Sequence, residues 1–177
     1  MPLIAKTAQG LTLLDLLVAA AVLAILAHLA APAFSSLIAE QRRLTLANEL
    51  ASGLRTARLE AIERNRRVIL QPLDANWANG WRMVVDESGR GLQDPGNPVL
   101  HIRASDGRVP VSASRNLQDH IGFDHLGVPR LANQGALAGT FHLCEEGSSG
   151  HRRVVVARTG RVRITREGAP TDLCPLS

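Results

Sequence analysis

Residues 10 to 15 of the chain, Gly10-Leu11-Thr12-Leu13-Leu14-Asp15, stand directly before a run without charge that extends from Leu16 to Ala39. A carboxylate within an apolar helix is costly, by about 2.5 to 3.5 kcal/mol for a central aspartate, and it normally has a partner. Cleavage after Gly10 would create that partner, because Leu11 would then carry an α-ammonium group. This charge lies four residues before Asp15, on the same helical face, and it can equally meet the Asp15 of a neighbouring chain.

This pattern resembles the prepilin motif of type IV pilins and type II secretion pseudopilins. In that motif a short polar leader ends in glycine and is followed by Phe-Thr-Leu-x-Glu and an apolar helix. Leu11 stands where the family has phenylalanine, and Asp15 stands where it has glutamate. The resemblance implies that a prepilin peptidase cuts after Gly10, that Leu11 is N-methylated, and that Asp15 serves assembly. Because Asp15 is one methylene shorter, a weaker contact between subunits is expected.

A secretory signal peptide is the alternative interpretation of this N-terminus. Lys6 gives a weakly positive start, Leu16 to Ala27 has the length of a hydrophobic core region, and Ala31-Pro32-Ala33 resembles a cleavage site. However, Pro32 lies inside that triplet, and the apolar run continues far enough to span about 30 Å of hydrocarbon. The prepilin interpretation is therefore favoured, while a simple membrane anchor without filament assembly stays open.

One long helix is predicted from Leu11 to about Arg64, with a kink at Pro32, which lacks a backbone donor. Its first half is apolar on all sides, and its second half is amphipathic. The second half carries a buried stripe at helical spacing, formed by Leu44, Ala47, Leu50, Ala51, Leu54, Ala57 and Ala61.

Short β-like segments and glycine-rich turns follow the helix. Eight strands are predicted, at 68–70, 81–85, 99–102, 109–111, 121–123, 139–143, 153–157 and 161–165. Turns are predicted at Asn79-Gly80 and Thr159-Gly160 among others, and long loops at 87–98 and 129–138. Trp77 and Trp81 are expected to pack on the core. The pattern predicts an α+β fold, with a long N-terminal helix packed on antiparallel sheets.

The two cysteines, Cys144 and Cys174, lie in the last third of the chain. If this part lies outside the cytoplasm, they are expected to form a disulfide. Two buried thiols remain the alternative. No Cys-x-x-Cys pair or cysteine–histidine cluster accompanies them, so neither a metal nor another cofactor is predicted.

Several segments resemble the GspH/FimT group of the pilin superfamily, which includes FimU-like minor pilins. They are Leu59-Glu60-Ala61-Ile62, Trp77-x-x-Gly80-Trp81, Ile121-x-Phe123-Asp124-x-Leu126-Gly127, Gly139-Thr140-Phe141-x-Leu143-Cys144 and Thr159-Gly160-Arg161-Val162-Arg163. The resemblance implies a leader at 1–10, a transmembrane or filament-core helix at 11–38, its amphipathic continuation at 39–66, and a periplasmic two-sheet β-rich domain at 67–177. It also implies a single-pass inner-membrane protein, incorporated into a pilus or pseudopilus with other minor subunits and a major pilin or pseudopilin.

Known catalytic motifs are absent from the sequence, which has no Gly-x-Ser-x-Gly elbow, no P-loop, no His-Glu-x-x-His and no tyrosine. The chain is therefore not expected to be an enzyme. His120, Asp124 and His125 could be taken for metal ligands, but the glycines around them indicate a solvated turn. Without the leader, which carries Lys6, the chain has 19 basic and 16 acidic residues, and this formal net charge of +3 is too small to indicate a nucleic-acid partner by itself.

Arginines are concentrated near the last predicted hairpin. Arg161 and Arg163 are two residues apart on a strand, so both point to one face, while Val162 and Ile164 point to the other. Arg153 and Arg158 lie nearby in sequence. This Gly-Arg-x-Arg hairpin resembles the one with which FimT-type minor pilins contact DNA during natural transformation, and guanidinium groups suit phosphates. An ordinary solvated face, or salt bridges to Glu145, Glu146 and Glu167, is the competing interpretation.

Overall fold

The computed structural model describes residues 13–131, 135–144, 151–166 and 173–174. They form the predicted α+β fold, a long helix followed by two antiparallel sheets. The helix α1 spans Leu13–Arg64, and the chain divides into two compact units, Met1–Ala39 and Glu40–Ser177. Gly10 and Leu11 lie outside the described residues.

The first unit contains only the N-terminal half of α1 among its described residues. Its large apolar side chains are exposed, and its most apolar 18 residues have a mean hydropathy of 2.4, so the helix is long and apolar enough to cross a membrane. Asp15 lies in the first turn of the described part of the helix. The helical conformation continues through Pro32, and the kink predicted there stays a prediction.

Nine strands follow α1 in the described part of the second unit. One sheet has the order β3-β2-β1-β5-β6 and the other the order β4-β7-β8-β9, with every pairing antiparallel. The strands are β1 Arg67–Leu73, β2 Asn76–Asp86, β3 Val99–Ala104, β4 Val111–Ala113, β5 Ile121–Phe123, β6 Pro129–Arg130, β7 Gly139–Leu143, β8 Arg152–Val156 and β9 Val162–Thr165. Single 3₁₀ turns occur at Gly91–Gln93 and Arg115–Leu117.

Three expectations about the strands are wrong. The first is the turn at Asn79-Gly80, which lies inside β2. The chain reverses instead at Asp74 and Ala75, which adopt φ of 48° and 56°. The glycine at position 80 serves close packing, since a Cβ there would overlap the carbonyl oxygen of Arg103 on β3. The strand expected at 109–111 begins at 111, after Pro110, which cannot donate to a ladder. Strand β6 occupies part of the expected loop 129–138.

The core lies between the second half of α1 and both sheets. The predicted stripe is buried from Ala47 to Ala61, whereas Leu44 is only half-buried and Leu46 is buried in addition. Trp77 and Trp81 are buried as expected. The Trp77 indole Nε1 donates to the carbonyl oxygens of Leu117 and Gln118, both at 2.9 Å.

The predicted disulfide between Cys144 and Cys174 is confirmed. Their Cα atoms are 5.5 Å apart, and 30 positions separate them in the sequence. The bond ties residues 173–174 to the end of β7. In the chain-entropy model a loop of this length stabilises the fold by about 3 to 4 kcal/mol.

Candidate functional site

The hairpin of β8 and β9 carries the arginines singled out in the sequence. Arg161 and Arg163 are exposed, whereas Val162 between them is only 8% exposed and Ile164 is half-buried. The alternation predicted for this strand is therefore present. Because β9 ends the sheet β4-β7-β8-β9, Arg163 lies on an edge strand, opposite Val155 of β8, and Arg161 directly precedes that strand.

The other two predicted arginines differ in their environment. Arg158 is exposed in the turn between β8 and β9. Arg153 is half-buried on β8, opposite Thr165. The acidic residues considered as alternative partners, Glu145, Glu146 and Glu167, lie outside the described residues.

The turn between β8 and β9 contacts a second turn, the one that follows β5, and this contact fixes the position of the hairpin. Gly160 donates its backbone N–H to the Ala157 carbonyl at 2.9 Å and adopts a φ of 78°. A Cβ on Gly160 would overlap the carbonyl oxygen of Gly127, which closes the turn after β5. The two turns therefore touch through their backbones, and this contact requires glycine at position 160.

The turn after β5 is held by the carboxylate of Asp124. Its Oδ1 accepts hydrogen bonds from the backbone N–H groups of Leu126 at 3.0 Å and Val128 at 2.9 Å, and its Oδ2 accepts from Arg130 Nε at 2.8 Å. Burial raises the pKa of Asp124, but these hydrogen bonds outweigh it and leave the pKa below its usual value. The carboxylate is therefore ionised at neutral pH, and its hydrogen bonds stabilise the turn.

His120 lies at the other end of β5. Burial lowers the pKa of its imidazole, and the positive charge of Arg67 lowers it further, against the opposing effect of Asp119. Across residues 13–131, 135–144, 151–166 and 173–174, no three histidine, cysteine, aspartate or glutamate side chains are grouped so that they could hold a metal ion.

Two arginines of α1 reach the same region, and sequence reasoning missed both. Arg55 Nη2 donates to the carbonyl oxygen of Val162 at 3.3 Å, and Arg58 Nε donates to that of Gly127 at 3.0 Å. Arg55 and Arg58 are three residues apart, hence neighbours on one helical face. That spacing was visible in the sequence, but the contact of Arg55 spans 107 positions and depends on the tertiary fold.

We give the name basic surface to five arginines that lie on the hairpin or contact the backbone of the hairpin or of the turn after β5, namely Arg55, Arg58, Arg158, Arg161 and Arg163. In the described part of the chain, none of these guanidinium groups has a carboxylate oxygen within 4.0 Å. Other arginines do form such ion pairs, for example Arg152 with Glu40 at 2.6 Å. The basic surface is thus a concentration of positive charge that the described residues do not neutralise.

The described residues thus combine a long N-terminal helix, apolar in its first half, with two antiparallel sheets. Two crystal structures of the type IV minor pilin FimU of Pseudomonas aeruginosa PAO1 share this fold. They align with TM-scores of 0.54 and 0.52 at 24% and 23% identity, and the alignments cover 77% and 76% of this chain and 95% and 98% of the FimU chains.

Sequence comparison identifies the family. Residues 46–160 match the family described as Type II transport protein GspH. The pilin-like protein PilA1 of Thermus thermophilus is 32% identical over an alignment of 166 residues that covers 89% of this chain and 99% of that protein. The chain therefore belongs to the GspH family of pilin-like proteins, which are structural subunits and not enzymes.

We expect Gly160→Ala to destabilise the protein more than Gly89→Ala. Both glycines have φ near +75°, at 78° and 75°, so alanine costs about 1 to 3 kcal/mol of conformational energy at either position. Only at Gly160 would the new Cβ meet other atoms, since nothing lies within 4 Å of the corresponding position on Gly89. Urea denaturation should show an additional loss of about 1 to 3 kcal/mol for Gly160→Ala. Equal losses would mean that the two turns do not press on each other.

Proposed function

We propose that the chain is a minor pilin or pseudopilin that joins or primes a filament of a type II secretion or type IV pilus system. The observation that carries this proposal is the division of the chain. An exposed apolar helix over residues 13–39 leads into a unit, 40–177, that contains the buried core. A subunit held first in the inner membrane and later in a filament needs both parts, with the second on the periplasmic side.

The N-terminal sequence suggests how the subunit docks. In this proposal a prepilin peptidase cuts after Gly10, and the methylated ammonium group of Leu11 pairs with Asp15 of its own or a neighbouring chain. The partners are other minor subunits and the major pilin or pseudopilin of the same filament. Asp15 lies in the first described turn of α1, where a carboxylate also suits the helix dipole.

Processing can be tested on the mature N-terminus. We expect the protein purified from membranes to begin at Leu11 with a methylated amine, because the sequence around Gly10 resembles a prepilin cleavage site. Mass spectrometry of the N-terminal peptide measures this directly. A mature protein beginning at Ala33 or Phe34 would show that a signal peptidase acts instead, and it would contradict the proposed pilin role.

Assembly can be tested at Asp15. Asp15→Asn should leave membrane insertion unchanged and reduce co-purification with the other minor subunits, because it removes the charge that attracts a neighbour's N-terminus. Asp15→Glu, the matched control, keeps that charge and should assemble at least as well as the wild type. If Asp15→Asn co-purifies to the same extent as Asp15→Glu, electrostatic docking at this residue is wrong.

Capture of DNA for natural transformation is the second candidate function. The basic surface favours it, because exposed guanidinium groups on a rigid hairpin suit contacts with successive phosphates that do not depend on base sequence. The match to the GspH family ends at residue 160, before Arg161 and Arg163, so this candidate rests on the geometry and on the resemblance to the FimT hairpin.

The hairpin can be tested by the double change Arg161→Ala and Arg163→Ala. Wild-type protein should bind duplex DNA with a Kd of about 10⁻⁴ to 10⁻⁶ M near physiological salt, and the double variant should bind all sequences more weakly. The control is Arg42→Ala with Arg115→Ala, since both arginines are exposed. Arg43, only 5% exposed, is unsuitable as a control. Equal losses in both double variants would indicate bulk charge and exclude a site on the hairpin.

A further inference from the structure

We propose that Arg55 of α1 is a third contact to the phosphodiester backbone beside Arg161 and Arg163, so that the DNA site is built jointly by the helix and the hairpin. This inference rests on the second candidate function. It adds to that candidate a residue that lies 107 positions before Val162 of the hairpin in the sequence.

Arg55 contacts the hairpin at the free edge of β9. The Arg161 carbonyl accepts a hydrogen bond from the Ala157 N–H on the β8 side of the hairpin, at 2.9 Å. Because backbone groups alternate in direction along a strand, the Val162 carbonyl points away from β8, toward the free edge. Arg55 Nη2 donates to that carbonyl at 3.3 Å, so its guanidinium group lies at the edge, alongside the residue between Arg161 and Arg163.

Arg55 retains the capacity to bind a ligand in this position. A guanidinium group has five N–H donors, and the contact with Val162 uses one. The side chain is exposed, and no carboxylate within the described ranges lies within 4.0 Å of it. The Cα atoms of Arg161 and Arg163 are about 6.6 Å apart, at about 3.3 Å per residue of extended chain. Arg161 and Arg163 carry like charges on one face of the hairpin, and a bound polyanion would relieve their mutual repulsion.

Arg58 has a different role in this arrangement, that of a positioning residue. It is half-buried, its Nε donates to the Gly127 carbonyl at 3.0 Å, and a Cβ on Gly160 would lie 3.0 Å from the same nitrogen. The side chain therefore fills the junction of the two turns and fixes the hairpin relative to α1. Arg55 and Arg58 thus both hold the hairpin that carries Arg161 and Arg163. In this proposal Arg55 additionally contacts the phosphodiester backbone.

The test compares two substitutions of Arg55 with a matched change elsewhere on the helix. Arg55→Gln keeps an amide donor for the Val162 carbonyl but removes the charge, and Arg55→Lys keeps the charge but loses the planar fork. Arg42→Gln removes the same charge from another exposed position of α1. The full chain in non-ionic detergent is titrated with a fluorescent duplex of about 25 base pairs by anisotropy, at several salt concentrations between about 50 and 200 mM. A thermal melt of each variant reports its folding.

Arg55→Gln should weaken binding and flatten the slope of log K against log salt by about 0.9, the contribution of one phosphate contact. Arg55→Lys should keep the wild-type slope, and Arg42→Gln should leave slope and affinity unchanged. A wild-type slope in Arg55→Gln, or equal effects of Arg55→Gln and Arg42→Gln, would overturn the inference while leaving the hairpin as a site. Absence of wild-type binding at about 50 mM salt would overturn the DNA function itself, and the inference with it.

Discussion

The close packing of α1 against both sheets is the constraint on which the rest of the structure depends. Ala47, Ala51, Ala57 and Ala61 are fully buried, and such small side chains allow strands to approach the helix axis closely. Gly53 continues this surface, since a Cβ there would lie 2.8 Å from the indole Nε1 of Trp81. Larger residues at these positions would overfill the core and separate the sheets from the helix.

Acidic side chains of the same helix also form ion pairs with residues of the two sheets. Glu49 pairs with Arg103 on β3 at 2.5 Å, and Glu40 pairs with the buried Arg152 on β8 at 2.6 Å. Arg55 caps the exposed edge of β9, which would otherwise offer an unpaired carbonyl to other chains. The second half of α1 is thus at once part of the core and the support of the basic surface, while its first half is apolar and exposed.

Local patterns were sufficient to predict some features, and tertiary contacts decided the others. The helical stripe, most strands, the disulfide and the outward direction of Arg161 and Arg163 follow from periodicity, turn residues and cysteine usage. The turn predicted at Asn79-Gly80 is wrong because a glycine needed for close approach to Arg103 looks the same in sequence as one needed for a turn. Strand β6 has two residues, too few for any period, and the place of Arg55 in the site depends on contacts that no local pattern encodes.

The central claim, that the chain is a filament subunit, is tested most directly by locating the protein in cells with and without an active prepilin peptidase. Filaments sheared from the cell surface, or isolated as pseudopili after overexpression of the major subunit, are analysed by quantitative mass spectrometry. We predict that the chain is present in the filament fraction of wild-type cells and remains in the inner membrane when the peptidase is inactive. Release of residues 40–177 as a free periplasmic or secreted protein in both strains would contradict the account.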